Sequence, residues 1–164
     1  MRKISVGKLV INIGVGKSGE PLERAKNALE ELTNRQPSVR GAKKNVRDFN
    51  IHKGEPIGAM VTLRREPAIE FLKRVIAANR NTLKASSFDS FGNLSIGIRE
   101  HIDIPGTKYN PEIGIFGMDV CISLTRPGYR IGKKRDKRAI GKNHRISKDE
   151  AIKFFKEEYG AEVL

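Results

Sequence analysis

The sequence predicts an α+β fold, an antiparallel β-sheet with helices packed on one face, the other face open, and basic loops protruding from it. Three observations lead there. First, strand-like segments share one parity: Leu9, Ile11 and Ile13 against Asn12, Val61 and Leu63 against Thr62, Leu94, Ile96 and Ile98 against Ser95, and Val120, Ile122 and Leu124 against Ser123 and Thr125. A sheet covered on one side only is written this way. Second, apolar stripes at helical spacing separate some strands without giving repeated βαβ units. Third, two cationic stretches, 36–55 and 129–145, lie between ordered elements, and residues 40–47 of the first follow neither period.

In chain order, Leu9–Ile13 reads as a strand with one buried face. Gly14–Gly19 is a glycine turn, and Pro21 suits a first helical turn. Leu22, Ala25, Ala28, Leu29 and Leu32 fall on one helical stripe that ends near Asn34, before Pro37. From Arg40 to Arg47 no pattern appears, so the segment is a cationic loop or hairpin. Ile57–Arg64 is a second strand, and Glu66-Pro67 opens a helix with inner face Ile69, Leu72, Val75 and Ile76. Residues 79–90 read as polar and irregular, Leu94–Ile98 as a strand, Pro105–Pro111 as a long turn, and Ile113–Phe116 as a short edge strand. Val120–Leu124 is a further strand ended by Arg126-Pro127-Gly128. After the second cationic stretch, Ser147 and Glu150 form a capping box with Ile146 as its staple, and Ile152, Phe155 and Tyr159 form the last helix's inner face.

Composition narrows the function. The 164 residues carry a formal net charge of +13 with 38% hydrophobic residues, and the pI is near 10.1. Such a chain folds, as one domain spanning 1–164, but it repels itself unless a polyanion is near. Nucleic acid is the leading partner class, and no basic helix carries the apolar face a membrane surface requires. Cys121 is the only cysteine, which leaves no internal disulfide and no thiolate metal cluster. The absence of an ~18-residue apolar run or a signal-peptide core points to a cytoplasmic protein.

Gly14–Gly19 matches G-x-G-x-x-G between strand and helix, the spacing of a dinucleotide site. Such a site needs an acid about 20 positions on to hold the ribose, and residues 34–39 contain none. A tight glycine turn is the better reading, and an oxidoreductase is the rival it displaces. The three histidines, His52, His101 and His144, are scattered. Glu100-His101 reads as a structural hydrogen-bond pair, so no catalytic constellation, metal site or cofactor is assigned. Cys121, alternating with Val120 and Ile122, faces the open side. The bland reading of a charge run is a solvated loop, but two such arms beside a hydroxyl- and amide-rich sheet face suit a folded RNA. That face is poor in aromatics, so a base-stacking platform on it is not expected.

At this point the motifs resemble a known family. Asn12-Ile13-Gly14-Val15-Gly16, Arg35-Gln36-Pro37, Ala42-Lys43-Lys44, Phe49-Asn50-Ile51 and Pro56-Ile57-Gly58-Ala59 before Val61-Thr62-Leu63-Arg64 stand in its order. So do Phe91-Gly92-Asn93, Gly97-Ile98-Arg99-Glu100-His101, Gly117-Met118-Asp119 and Arg126-Pro127-Gly128. Over essentially the whole chain the sequence resembles the large-subunit ribosomal proteins of the L-five family that bind 5S rRNA, in their archaeal and eukaryotic form and most closely the archaeal one.

The resemblance implies a non-enzymatic structural protein of the central protuberance. It implies 5S rRNA contacts at Asn12, Gln36 and Thr62, with Arg35 and Arg64 beside them. The loop implied to approach P-site tRNA matches Lys43–Glu55, with Lys43, Lys44, Arg47, Phe49, His52 and Lys53, although Asp48 dilutes its charge. Arg130, Lys133, Lys134, Arg135, Lys137, Arg138, Lys142 and Arg145 are assigned to other rRNA contacts. The partners implied are 5S rRNA, large-subunit rRNA, P-site tRNA, and neighbouring proteins of the central protuberance and small-subunit head, with no membrane. A free RNA chaperone or assembly factor is the alternative that composition leaves open.

Overall fold

Alternation along the sequence becomes alternation across a sheet. The computed structural model describes residues 1–164, with strands β1 (Ser5–Gly14), β2 (Ser38–Gly41), β3 (Pro56–Leu63), β4 (Thr82–Leu83), β5 (Leu94–Ile98), β6 (Met118–Thr125) and β7 (Glu162–Val163). Helices α1 (Glu20–Thr33), α2 (Glu66–Ala78) and α3 (Lys148–Tyr159) complete it. A mainly antiparallel five-stranded sheet has the order β2-β3-β1-β6-β5, and β4 pairs with β7 in parallel. The expected parity holds on its strands. Leu9, Ile11, Ile13, Val61, Leu63, Leu94, Ile96, Ile98, Val120, Ile122 and Leu124 are buried, whereas Asn12, Thr62, Ser95, Ser123 and Thr125 are half-buried or exposed. No helix is long and apolar enough to cross a membrane.

Residue contacts define two units. One comprises Val10–Thr62 and Gly97–Val120. The stripe Leu22, Ala25, Ala28, Leu29 and Leu32 of α1 is buried as its spacing predicts. Together with Ile11, Ile13 and Val61 it forms the core, each large side chain contributing about 1.5–3 kcal/mol by burial. Asn34, in the left-handed region at φ 49°, ends α1 by donating its N–H to the Glu30 carbonyl. A side chain at Gly58 would place Cβ 2.9 Å from the Ile13 carbonyl oxygen, so glycine lets β3 approach β1 there.

Two expectations for this unit are corrected, and the first cationic segment, read as a loop or hairpin, is a hairpin. Its strand β2 overlaps the start of the patternless residues 40–47 and pairs antiparallel with β3, Ser38 opposite Met60 and Arg40 opposite Gly58. All four of its residues are exposed, so no alternation announces it. Ile113–Phe116 is not an edge strand. Ile113 is buried in a turn closed by the Asn110 carbonyl, and Phe116 exchanges hydrogen bonds with His101. The His101 N–H donates to the Phe116 carbonyl at 3.0 Å, and the Phe116 N–H donates to His101 Nδ1 at 3.3 Å. His101 therefore pairs with backbone, not with the exposed Glu100. Burial lowers its pKa, against the opposing charge of Glu31.

The other unit comprises Met1–Leu9, Leu63–Ile96 and Cys121–Leu164. In α2 the buried residues are Ala68, Phe71, Leu72, Val75 and Ile76. Ile69, expected on the inner face, is exposed, because the buried stripe runs through Ala68 and Phe71. Residues 79–90 are better ordered than their composition implies. Leu83 and Phe88 are buried, and β4 binds β7 with Leu83 opposite Val163. The Ser147–Glu150 capping box forms as expected, and Ile146 at its flank is 1% exposed. Phe155 anchors α3 and meets the Phe88 ring edge-on at 5.6 Å, while Ile152 and Tyr159 are half-buried and Ala151 is fully buried.

Candidate RNA interface

The dinucleotide alternative fails on backbone geometry. The amides of Val15 and Gly16, which would have to cradle a phosphate, both donate to the Ile57 carbonyl at 3.0 and 2.9 Å. The Glu55 carboxylate also occupies this turn, accepting from Ser18 Oγ at 3.0 Å and from the His52 N–H at 3.0 Å. These two hydrogen bonds, the His52 amide first, hold the Glu55 carboxyl below the ordinary carboxylate range. A fixed negative charge at the turn repels pyrophosphate and fastens the neighbouring arm instead.

That arm is a hairpin extending β2 and β3. After a shift in register between Arg40 and Gly41, Ala42 N–H donates to Glu55 O and Gly54 N–H to Ala42 O. Farther out, Asn45 Oδ1 accepts from the Lys53 N–H at 2.6 Å, and Val46 and Ile51 form an antiparallel bridge. The tip is a single 3₁₀ turn, Arg47–Phe49, closed by Asn50 at φ 53°. Gly41 is required near the base, since a Cβ would stand 2.9 Å from the Gly54 carbonyl oxygen. Lys43, Lys44, Arg47, His52 and Lys53 are all exposed, and none of them is in an ion pair. Phe49, 74% exposed at the tip, is uncovered by anything in the chain.

Within the same unit, Asn12 on β1 and Thr62 on β3 are half-buried on the open face of adjacent strands. Arg35 and Gln36 are exposed, held between the left-handed Asn34 and the buried Pro37. Arg64 is exposed just past β3.

The second basic stretch is folded back on itself by two short 3₁₀ turns, Tyr129–Gly132 and Lys142–His144. Tyr129 Oη donates to the His144 carbonyl at 3.1 Å and accepts the Ile146 N–H at 2.8 Å. Arg145 Nε donates to the Ile140 carbonyl. Arg130, Lys133, Lys134, Arg135, Lys137, Arg138, Lys142 and Arg145 all remain exposed. Beneath them lies Arg126, only 5% exposed, a residue the sequence pattern had marked merely as the end of a strand. Its Nη2 donates to Glu150 at 2.8 Å. Cys121 is exposed on the open side, as its alternation predicts.

Known proteins share this sequence closely. A family model for the C-terminus of the ribosomal L5 family matches residues 56–154, and one described as Ribosomal protein L5 matches residues 1–52. The large ribosomal subunit protein uL5 of Sulfolobus acidocaldarius is 52% identical, the match covering 100% of this chain and 93% of that one. That of Pyrobaculum aerophilum is 51% identical over 99% of this chain and 92% of its own. That of Nitrosopumilus maritimus is 49% identical over 99% and 95%.

Proposed function

The chain belongs to the ribosomal L5 family, in its archaeal type, and is a structural, non-enzymatic constituent of the large ribosomal subunit; from that premise we propose that it fastens 5S rRNA to the large-subunit rRNA and extends a loop toward P-site tRNA. The observation that carries this reading is the shared placement of Asn12 and Thr62 on the open face of adjacent strands. Two short polar side chains on a face without strand aromatics suit contact with the ribose–phosphate surface of a folded RNA. Gln36, with Arg35, adds a rigid polar corner, and Arg64 a further cation. The hairpin cations Lys43, Lys44, Arg47 and Lys53, with His52 and Phe49, are free to reach a different ligand. Arg130 to Arg145 face large-subunit rRNA, and the whole of 1–164 serves as one RNA-binding domain beside neighbouring proteins of the central protuberance and small-subunit head.

The test is binding of purified chain to 5S rRNA across a salt series. If about six phosphates are neutralised, affinity falls ~10³-fold between 50 and 200 mM salt. Asn12→Ala and Thr62→Ala each weaken binding by about 1–3 kcal/mol without loss of helix content. Equal affinity for arbitrary hairpins of the same length overturns the 5S assignment.

A further inference from the structure

We propose that the hollow between Phe91 and Tyr129 is a pocket for one unstacked RNA base, a stacking site away from the sheet face. It lies in the unit that holds the second basic stretch, measures about 310 Å³, and is lined by Phe91, Tyr129, Ile140 and Ile146 with Arg138 and Arg145. That volume is at the small end of the roughly 300–1,000 Å³ typical of ligand sites, suited to a single flat ring system.

The backbone under Phe91 and the ring of Tyr129 are held in place before any ligand arrives. Phe91 stands 59% exposed on a turn locked by Asp89, whose Oδ1 accepts the N–H groups of Phe91 at 2.9 Å and Asn93 at 2.7 Å. Asp89 Oδ2 takes the Asn93 side-chain amide at 2.7 Å. Behind the ring, Gly92 at φ +75° is packed so closely that a Cβ would meet Ile146 Cγ2 at 2.7 Å. Tyr129 is fixed through its hydroxyl by His144 and Ile146, and its ring meets that of His144 edge-on. More than half of Phe91 is left to solvent, so one side of the hollow is an uncovered aromatic surface.

Charge selects the occupant. The hollow is lined by Arg138 and Arg145 and flanked in sequence by Arg130, Lys133, Lys134, Arg135, Lys137 and Lys142, all exposed. An apolar, aromatic-walled recess with two arginines in its lining matches a nucleotide, the base stacking inside and its phosphates on the guanidinium groups. An apolar protein segment would gain the recess but nothing from the surrounding charge. The inference rests on the RNA-binding reading above and adds to it a base contact.

The chain contains no Trp, so Phe91→Trp supplies a single fluorescent reporter. Titrating the full-length variant with large-subunit rRNA is expected to quench the introduced indole, whereas polyphosphate, a polyanion without bases, binds without quenching. Phe91→Ala is expected to weaken large-subunit rRNA binding about tenfold, with Phe91→Tyr restoring it and circular dichroism unchanged in both. Unaltered affinity together with an unquenched indole overturns the base pocket and leaves the RNA reading intact. An indole that ignores rRNA but shifts to the blue with ribosomal proteins assigns the recess to a protein segment, which also overturns it. Failure of the unsubstituted chain to bind rRNA at all overturns both.

Discussion

Arg126 and Glu150 share one contact that ties the end of β6 to α3. Arg126 Nη2 donates to Glu150 Oε1 at 2.8 Å, while Oε2 of the same carboxylate accepts the Ser147 N–H at 3.1 Å and so completes the helix cap. Arg126 is nearly enclosed and Glu150 is half-exposed, so the pair is not an ordinary surface ion pair of small value. Removing the acid leaves the buried guanidinium with only the His144 and Arg145 carbonyls, at 3.4 Å, as partners and at the same time uncaps a helix.

Stability is therefore expected to depend on acid in two windows. The Arg126 hydrogen bond, then the Ser147 amide, lower the pKa of Glu150 from 4.5. The protonated form is thus favoured in the unfolded chain, and this contribution is complete above pH 4.5 and lost as pH falls through the lowered value. His101, lowered by burial from 6.5, acts in the same direction at higher pH. Its contribution is present above 6.5 and declines as the unfolded chain takes up a proton. Urea unfolding should show Glu150→Gln less stable by about 1–3 kcal/mol at pH 7, with the gap to the parent closing below pH 4.5.

Gly92→Ala should be costly. The residue combines φ +75° with a Cβ position 2.7 Å from Ile146 Cγ2 and 3.2 Å from Ala151 Cβ. Left-handed strain and overpacking add to about 2–4 kcal/mol. A change in urea midpoint of less than about 0.5 kcal/mol equivalent would mean that the turn relaxes freely.

Arg65→Gly should stabilise the fold. Arg65 precedes α2 at φ 58°, ψ −139°, a region natural to glycine. The corresponding residue before α1 is Gly19, at φ 88°, ψ −146° and likewise followed by Glu-Pro. Relief of about 1–3 kcal/mol of strain exceeds the entropy lost on fixing glycine, about 0.5–1 kcal/mol. The midpoint in urea should rise by an amount equivalent to about 1 kcal/mol, whatever the effect on RNA.

Shortening the first arm should separate the chain's two proposed RNA tasks. Replacing the tip between Val46 and Gly54 by two glycines keeps the Glu55 clamp to Ser18 and the open face. Affinity for 5S rRNA should stay within error, and ribosomes reconstituted with the variant should bind P-site tRNA more weakly, with A-site binding less affected. Lost 5S binding with normal P-site binding would place this arm on the 5S rRNA.

The sheet's parity, the stripe of α1 and the Ser147–Glu150 cap were legible because each is periodic or local. A buried face repeats every second residue in a strand and every three or four in a helix, and a capping box closes within one turn. Strand parity likewise put Asn12 and Thr62 on the open face, whereas their proposed contact with 5S rRNA comes from the family resemblance and not from the pattern.

By itself, then, the sequence determined which side of each main strand is buried, where α1 and α3 begin, and that the charge is gathered on two arms. Tertiary structure alone decided the rest. β2 and β7 are short, and no period can develop over so few residues; they exist because β3 and β4 offer backbone partners. Arg126 found its acid 24 positions away, and His101 chose the Phe116 backbone over the adjacent Glu100. Phe91 and Tyr129 line one hollow although β5 and β6 lie between them in the chain. Such pairings are set by where strands and turns return in space, a property that residue order does not display before the core has closed.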